Sequence, residues 1–188
     1  MHPTIREPQG KRGRLRSTTA KILRWTGLVA VLAGSIVTVS ATPAAATTVA
    51  DCLAGPHVYF RDPTSYRVIT GFGHDVHALM VSYQSSPQQQ WGTCAQPGLS
   101  GFAIVNVNDG TCLDVEGDST DDGARIQTWA CHFHANQRWT YDSGSGHIRS
   151  RRSGKCVDII DGNRSEFAAL ALYTCHSGWN QKFTVGSA

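Results

Sequence analysis

Two stretches of this 188-residue chain set an acid and an aromatic ring at the same spacing. Asp114 precedes Trp129 by the interval that separates Asp158 from Tyr173. Each ring is followed at one further interval by an amide pair, Asn136-Gln137 or Asn180-Gln181. An ionised carboxylate is an acceptor only, and its charge-assisted bonds can take two neighbouring hydroxyls. A ring can lie against an apolar C–H face, with its π cloud partly negative toward those hydrogens. An amide both donates and accepts, so it can read a further hydroxyl. A pyranose, with hydroxyls at its edge and C–H bonds on its face, would satisfy all three.

These residues belong to a duplication. Residues 112–139 (CLDVEGDSTDDGARIQTWACHFHANQRW) align without a gap on 156–183 (CVDIIDGNRSEFAALALYTCHSGWNQKF) at an offset of 44. Cys112 meets Cys156, Cys131 meets Cys175, and Trp139 meets Phe183. Gln127 in the earlier copy becomes Ala171 in the later one, which removes one polar group. A third, weaker copy lies upstream. Gln89-Gln90-Trp91 repeats the Gln-x-aromatic ending, 48 residues before Gln137-Arg138-Trp139. It has no Cys-x-Asp before it, and Val81 and Tyr83 fall roughly where Trp129 and Cys131 fall later. With neither acid nor ring, this first copy is expected to hold no saccharide site.

The elements that must carry these residues are short strands. Phe102 to Val107 is rich in β-branched residues and ends at Asn108-Asp109-Gly110, a turn signal. Cys112 to Val115, Ile126 to Cys131 and Leu170 to Cys175 also read as strands, and Asp121-Asp122-Gly123 as a turn. After the leader no segment sustains helical periodicity, so the body should be all-β. Three small β units, none with enough core alone, would close into one barrel-like body and hide their edges.

The first 46 residues are different. Seven basic residues (Arg6, Lys11, Arg12, Arg14, Arg16, Lys21, Arg24) precede an apolar run from Trp25 to Val39 and the small segment Ala44-Ala45-Ala46. Basic, apolar, then small is the layout of a secretory signal peptide, with an uncleaved membrane anchor as the lesser alternative. The leader takes seven of the 17 Lys and Arg but only one of the 14 Asp and Glu. The remainder of the chain is therefore mildly acidic, which disfavours a binder of phosphate backbones. All six cysteines (Cys52, Cys94, Cys112, Cys131, Cys156, Cys175) lie after the leader. An even count in an exported chain reads as disulfides, although connectivity is not readable from sequence.

Three Gln-x-Trp/Phe endings, with C-L-D-V and Q-T-W-A-C in the second copy, resemble the ricin B-type lectin domain, a family 13 carbohydrate-binding module. The resemblance covers roughly residues 57–186. It implies a β-trefoil of three pseudo-symmetric repeats, at about 57–98, 99–143 and 144–188. These form one lectin domain over 57–188, behind a signal peptide (1–46) and an N-terminal tail (47–56). The family site uses an Asp, an aromatic, an Asn and a supporting Gln that orients the Asp. Carried over, these are Asp114, Gln127, Trp129, Asn136 and Gln137 in the second repeat. In the third they are Asp158, Tyr173, Asn180 and Gln181. Bridges Cys112–Cys131 and Cys156–Cys175 are expected within these copies, and Cys52 and Cys94 would then pair with each other. If each bridge joins antiparallel strands, Asp114 and Trp129 sit two residues from the bridged positions on one face. Asp158 and Tyr173 would do the same.

Trp91, Trp139 and Phe183 are expected in the core. Cys131-His132-Phe133-His134 lacks a second ligand pair at zinc spacing, so no metal is expected, though His132 or His176 can border a sugar. Asp118 to Gly123 (DSTDDG) lacks the closing Glu of a calcium loop. Asp142-Ser143-Gly144 has no surrounding nucleophile motif. Asn163-Arg164-Ser165 is a glycosylation sequon that matters only where a host has that machinery. Arg149, Arg151 and Arg152 read as an exposed strand and turn, with an acidic-sugar contact as the lesser alternative. The paired carboxylates of a glycosidase are not evident, so no enzyme and no cofactor are expected. The expected function is a secreted lectin for galactose- or xylose-type sugars, with galactosides or xylan-type polysaccharide as partners and no nucleic acid. The alternative is a protein-binding β-trefoil, an inhibitor or toxin partner, with vestigial sugar pockets.

Overall fold

The computed structural model describes residues 47–188; the expected signal peptide, residues 1–46, lies outside the described residues. The short alternating runs fold into 13 strands. These are β1 (Val58–Arg61), β2 (Arg67–Thr70), β3 (Val76–His77), β4 (Leu79–Ser82), β5 (Trp91–Ala95), β6 (Phe102–Asn106) and β7 (Cys112–Val115). They continue as β8 (Ile126–Trp129), β9 (Trp139–Asp142), β10 (His147–Ser150), β11 (Cys156–Ile159), β12 (Ala168–Tyr173) and β13 (Thr184–Ser187). The expected strands near 102, 112, 126 and 170 are all present, the last two ending at Trp129 and Tyr173, short of the cysteines.

Each repeat contributes four strands, with β3 an addition to the first. The last strand of a repeat pairs antiparallel with the first strand of the next: β5 with β6, β9 with β10, and β13 with β1. Because the C-terminal strand returns to the first, the outer strands close on themselves and expose little edge. The inner strands of each repeat form the hairpins β2/β4, β7/β8 and β11/β12. This is a β-trefoil. Its core takes the same contribution from each repeat: Phe60, Ile104 and Ile148; Ile69, Leu113 and Val157; Trp91, Trp139 and Phe183, all buried. The Trp91 and Trp139 indoles each donate Nε1–H to a backbone carbonyl, of Ile69 and Leu113, at 3.0 Å. Phe183 fills the third position without a polar atom to satisfy.

One departure from the all-β expectation lies in the N-terminal tail. Residues Val49–Leu53 form a single helical turn, α1, with a capping box between Thr48 and Asp51. It buries Cys52, which is bridged to Cys94 on β5. Gly92 permits this docking, since a Cβ there would fall 2.3 Å from the Cys52 carbonyl oxygen. The stretch is too short for periodicity to reveal, and tertiary packing rather than propensity holds it. The other two bridges join Cys112 to Cys131 and Cys156 to Cys175.

The connections inside the hairpins position the sites. In each repeat this loop leaves its own hairpin and reaches the hairpin of the next. Asp75 N–H donates to Thr128 O, Gly123 N–H to Leu172 O, and Phe167 N–H to Met80 O, at 2.8, 2.8 and 2.9 Å. All three residues have positive φ, of 60°, 89° and 63°. One left-handed position therefore recurs three times, filled by Asp, Gly and Phe. The loop is shorter in the first repeat, where Thr70 pairs with Leu79, than in the second, where Asp114 pairs with Gln127. That deletion explains why the offset between these repeats grows from 44 to 48 partway along.

Candidate functional site

In the second repeat Asp114 faces Gln127 across β7/β8, and Trp129 faces Cys112. The expected register, with Asp114 directly opposite Trp129, is therefore corrected by two residues. Cys131 lies beyond the end of β8, and its bridge reaches back diagonally to Cys112. A shift of two keeps the side-chain face. Asp114 and Trp129 thus still open to one side, into a cleft of about 450 Å³ that Gln127, His132 and Asn136 also line.

Asp114 is only 2% exposed. Its Oδ1 accepts from Gln127 Nε2, and its Oδ2 from Asn136 Nδ2 and Gln137 Nε2, all at 2.9 Å. A carboxylate offers about four acceptor directions, so roughly one stays open toward the cleft. Burial pushes the Asp114 carboxyl above the usual carboxylate range, partly offset by the Gln127 and Gln137 bonds and by His132. His132 Nε2 lies 3.7 Å from Oδ2. Burial, followed by His134, lowers the His132 pKa, favouring the neutral ring. His134 N–H donates to Nδ1 at 3.2 Å, which leaves the ring proton on Nε2, facing the acid.

Gln137 has the supporting place that the resemblance implies for it. It is wholly buried, and its Oε1 accepts from the His132 and Phe133 N–H groups at 2.8 and 3.0 Å. Gln181 is equally buried; it accepts from His176 N–H at 2.8 Å and donates to Asp158 at 2.8 Å. Both hold the acid from beneath and cannot touch a ligand in the cleft.

The third repeat repeats the plan with changes. Asp158 faces Ala171, and Tyr173 faces Cys156. Asn180 Nδ2 is shared between the two Asp158 oxygens at 2.9 Å each. Ala171 supplies no counterpart to the Gln127 bond, so Oδ1 has only a share of the Asn180 amide. The cleft is larger, about 590 Å³, and Asp158, Ala171, Tyr173, His176 and Asn180 line it. His176 Nε2 stands 3.3 Å from Asp158 Oδ2, and its Nδ1 accepts from Gly178 N–H. Tyr173 is 47% exposed.

The first repeat keeps the hollow but not the chemistry. Thr70 occupies the acid position and Val81 the ring position, with Gln84, Gln88 and the exposed Phe72 and Phe167 around them. Gln89 still donates to the Ser82 carbonyl, as Gln137 does to Ala130. The supporting glutamine therefore survives where the acid it would orient is gone.

Sequence reasoning missed the walls. His74 stacks on Trp129 with ring centroids 4.3 Å apart, and Asp75 lines the second-repeat cleft. Both come from the first repeat through β3, which pairs with β8. Nothing near them in sequence marks that contact. His132 and His176, expected from the sequence to border a sugar, share the 44-residue offset and stand beside the two acids. The single cluster of metal-ligand types among the described residues is His147, Cys156 and Cys175. Its sulfurs are joined in a disulfide and have no thiolate to offer.

The family model for the ricin-type β-trefoil lectin domain-like fold matches residues 87–173 and 135–188. A designed three-fold symmetric protein, ThreeFoil, superposes with a TM-score of 0.64 at 26% identity, covering 69% of this chain and 96% of that one. A ricin B-like lectin of Macrolepiota procera, solved in complex with lactose, superposes with a TM-score of 0.58 at 20% identity, covering 68% and 93%. Among curated proteins, the ribosome-inactivating protein PMRIPt of Polygonatum multiflorum is 45% identical over 42 residues, 22% of this chain. That match spans only 7% of the relative's length. The two matched segments of the family model together span more than half of the sequence, and this chain belongs to the ricin-type β-trefoil lectin domain-like family.

Proposed function

We propose that this chain is a secreted, non-enzymatic lectin that binds galactose- or xylose-type saccharides at the second- and third-repeat clefts. One observation carries the reading. An acid held by buried amides, beside a partly exposed ring and a histidine, is built twice at equivalent positions of the fold. Each carboxylate keeps acceptor capacity toward its cleft for sugar hydroxyls, and each ring offers a surface for the C–H face. The family lectin in complex with lactose supports the substrate class. Export would follow from the leader in residues 1–46. Two shallow sites on one body would gain avidity on a polysaccharide bearing many copies of the sugar.

Calorimetric titration with galactose, lactose and xylo-oligosaccharides tests this. At least one should bind, with two sites per chain and one after Asp114→Ala. No heat with any of them, from protein shown to be folded, would refute the lectin reading. A screen of the same protein for glycosidic-bond hydrolysis should show none.

A further inference from the structure

Beside the third-repeat cleft lies a second hollow, lined by Ser145, His147, Arg149, His176, Ser177 and Lys182, with Cys175 at its wall. His176 lines both hollows, so the two are contiguous. The three-fold repeat shows how unusual this hollow is. Arg149 faces Cys156 on β11 as Val105 faces Cys112 on β7, and His147 is the counterpart of Ala103. In the second repeat these positions are sealed. Ala103, Val105 and Cys112 form a small apolar core with Cys52, and Val49 and Leu53 of α1 pack over it. In the first repeat the Arg61 guanidinium lies 5.6 Å from the Tyr59 ring centroid, a neutral partner. Only in the third repeat does this face combine a guanidinium, a second cation and two hydroxyls.

The guanidinium is held in place without being neutralised. Arg149 Nη1–H donates to Cys175 Sγ at 2.7 Å, and Nη2 lies 3.0 Å from His147 Nδ1. His147 Nε2 is 3.0 Å from the His176 carbonyl oxygen, so Nε2 carries the ring proton and Nδ1 presents a lone pair to Arg149. Both partners are neutral acceptors. Among the described residues neither Arg149 nor Lys182 makes an ion pair. Asp142 is the acid whose field reaches Arg149, but its oxygens accept from Gly144 N–H, Ser145 N–H and Ser145 Oγ within its own turn. A held guanidinium with donors to spare, an exposed ammonium beside it and the Ser177 hydroxyl suit an oxyanion that can take several charge-assisted bonds.

We propose that this notch receives the anionic substituent, a sulfate ester or a carboxylate, of an acidic saccharide whose ring occupies the third-repeat cleft. The inference rests on the lectin reading and narrows it for one site. The second-repeat cleft supplies the contrast. Asp75, Glu116 and Asp118 stand around Asp114 there, against Asp161 alone beside Asp158 in the third; Arg152 pairs with Asp118 at 3.0 Å, but the surplus of acids still disfavours an anion. The chain thus carries one site for acidic sugar and one for neutral sugar.

The test titrates the protein, at low ionic strength, with galactose, galactose 6-sulfate, galacturonic acid and inorganic sulfate. In Asp114→Ala protein, which retains the third site alone, an acidic sugar should bind roughly five- to tenfold tighter than galactose, and the gap should shrink with added salt. Lys182→Gln, at an exposed position, and Arg149→Gln should each bring the ratio to within about twofold while leaving galactose affinity unchanged. Arg151→Gln, at an exposed arginine that instead donates to Ser100 Oγ, should not change the ratio. A gain for the sulfate ester alone, or for the uronate alone, identifies which oxyanion is read, and either supports the proposal. Galactose binding with no acidic advantage, or an advantage that survives Lys182→Gln and Arg149→Gln, overturns it and leaves the lectin reading standing. Failure of every sugar to bind overturns the lectin reading and with it the notch as a saccharide subsite.

Discussion

The second and third repeats share one plan and differ mainly in what neighbours supply. Asp114 is enclosed by three amides, and its ring partner Trp129 is stacked by His74. Asp158 meets an alanine instead of a glutamine, and Tyr173 stands 47% exposed. At the recurrent left-handed position the preceding loop brings Asp75 to the second cleft and Gly123 to the third. The second site is the tighter and more acidic; the third is wider, and a cationic notch opens beside it. A duplicated strand pair therefore fixes where a site lies, while the preceding repeat's loop fixes what the site is like.

Removing either acid separates the two sites most sharply. Asp114→Ala deletes an acceptor for charge-assisted bonds worth about 1.5–3 kcal/mol each, so affinity at that cleft should fall roughly a hundredfold. Binding stoichiometry should drop from two to one, and Asp158→Ala should do the same at the other cleft. If either variant abolishes both sites, they are coupled and cannot be compared as independent.

Acidification should come next in size. Burial raises the Asp114 carboxyl pKa, and binding of hydroxyls needs the ionised form. Binding at the second site should therefore weaken as pH falls while still above the ordinary carboxylate range, approaching tenfold per pH unit below the raised pKa. For folding the sign is opposite. A raised pKa means that the buried charge costs stability above it, and protonation relieves that cost. Asp158→Ala protein isolates the second site, and titration of its affinity between pH 7 and pH 4 reads the shift directly. An affinity that stays flat down to the ordinary carboxylate range would remove the electrostatic half of the comparison.

Much of this was legible in the sequence because a repeat converts residue identity into position. The offset of 44 places Asp158, Tyr173 and Asn180 by analogy with Asp114, Trp129 and Asn136, whatever the strand boundaries. Side-chain parity puts acid and ring on one face even though the expected register is off by two, because an even slip preserves the face. The walls were not legible. His74 and Asp75 reach the second cleft from another repeat, and neither periodicity nor spacing encodes such a contact. The place of Gln127 was equally hidden. The resemblance implies that Gln137 supports the acid, but Gln127 carries the same side chain and lies at the cleft wall.

Exchanging Gln127 and Ala171 should move each site toward the other. Gln127→Ala frees Asp114 Oδ1 and widens the cleft, so affinity there should change by about threefold and selectivity should approach that of the third site. It also deletes a buried bond to a charged group, so the protein should lose about 1–2 kcal/mol of stability, measurable by denaturant unfolding. Ala171→Gln should narrow the third cleft and cost little stability. Unchanged selectivity in both variants would show that the loops alone set the difference.

The smallest effect is expected at His74, and it bears most directly on the role of the neighbouring loop. Its ring centroid lies 4.3 Å from that of Trp129, tilted by 37°, and so packs against one indole face. An aromatic contact of this kind is worth about 0.5–1.5 kcal/mol beyond area burial. Without it the indole gains rotamer freedom that a bound sugar must again remove. His74→Ala should therefore weaken the second site about twofold and leave the third unchanged, as read by titration in the Asp158→Ala and Asp114→Ala backgrounds. Tighter binding after the substitution would mean that His74 occupies the face a sugar needs, and that the first repeat's loop obstructs the second site instead of completing it.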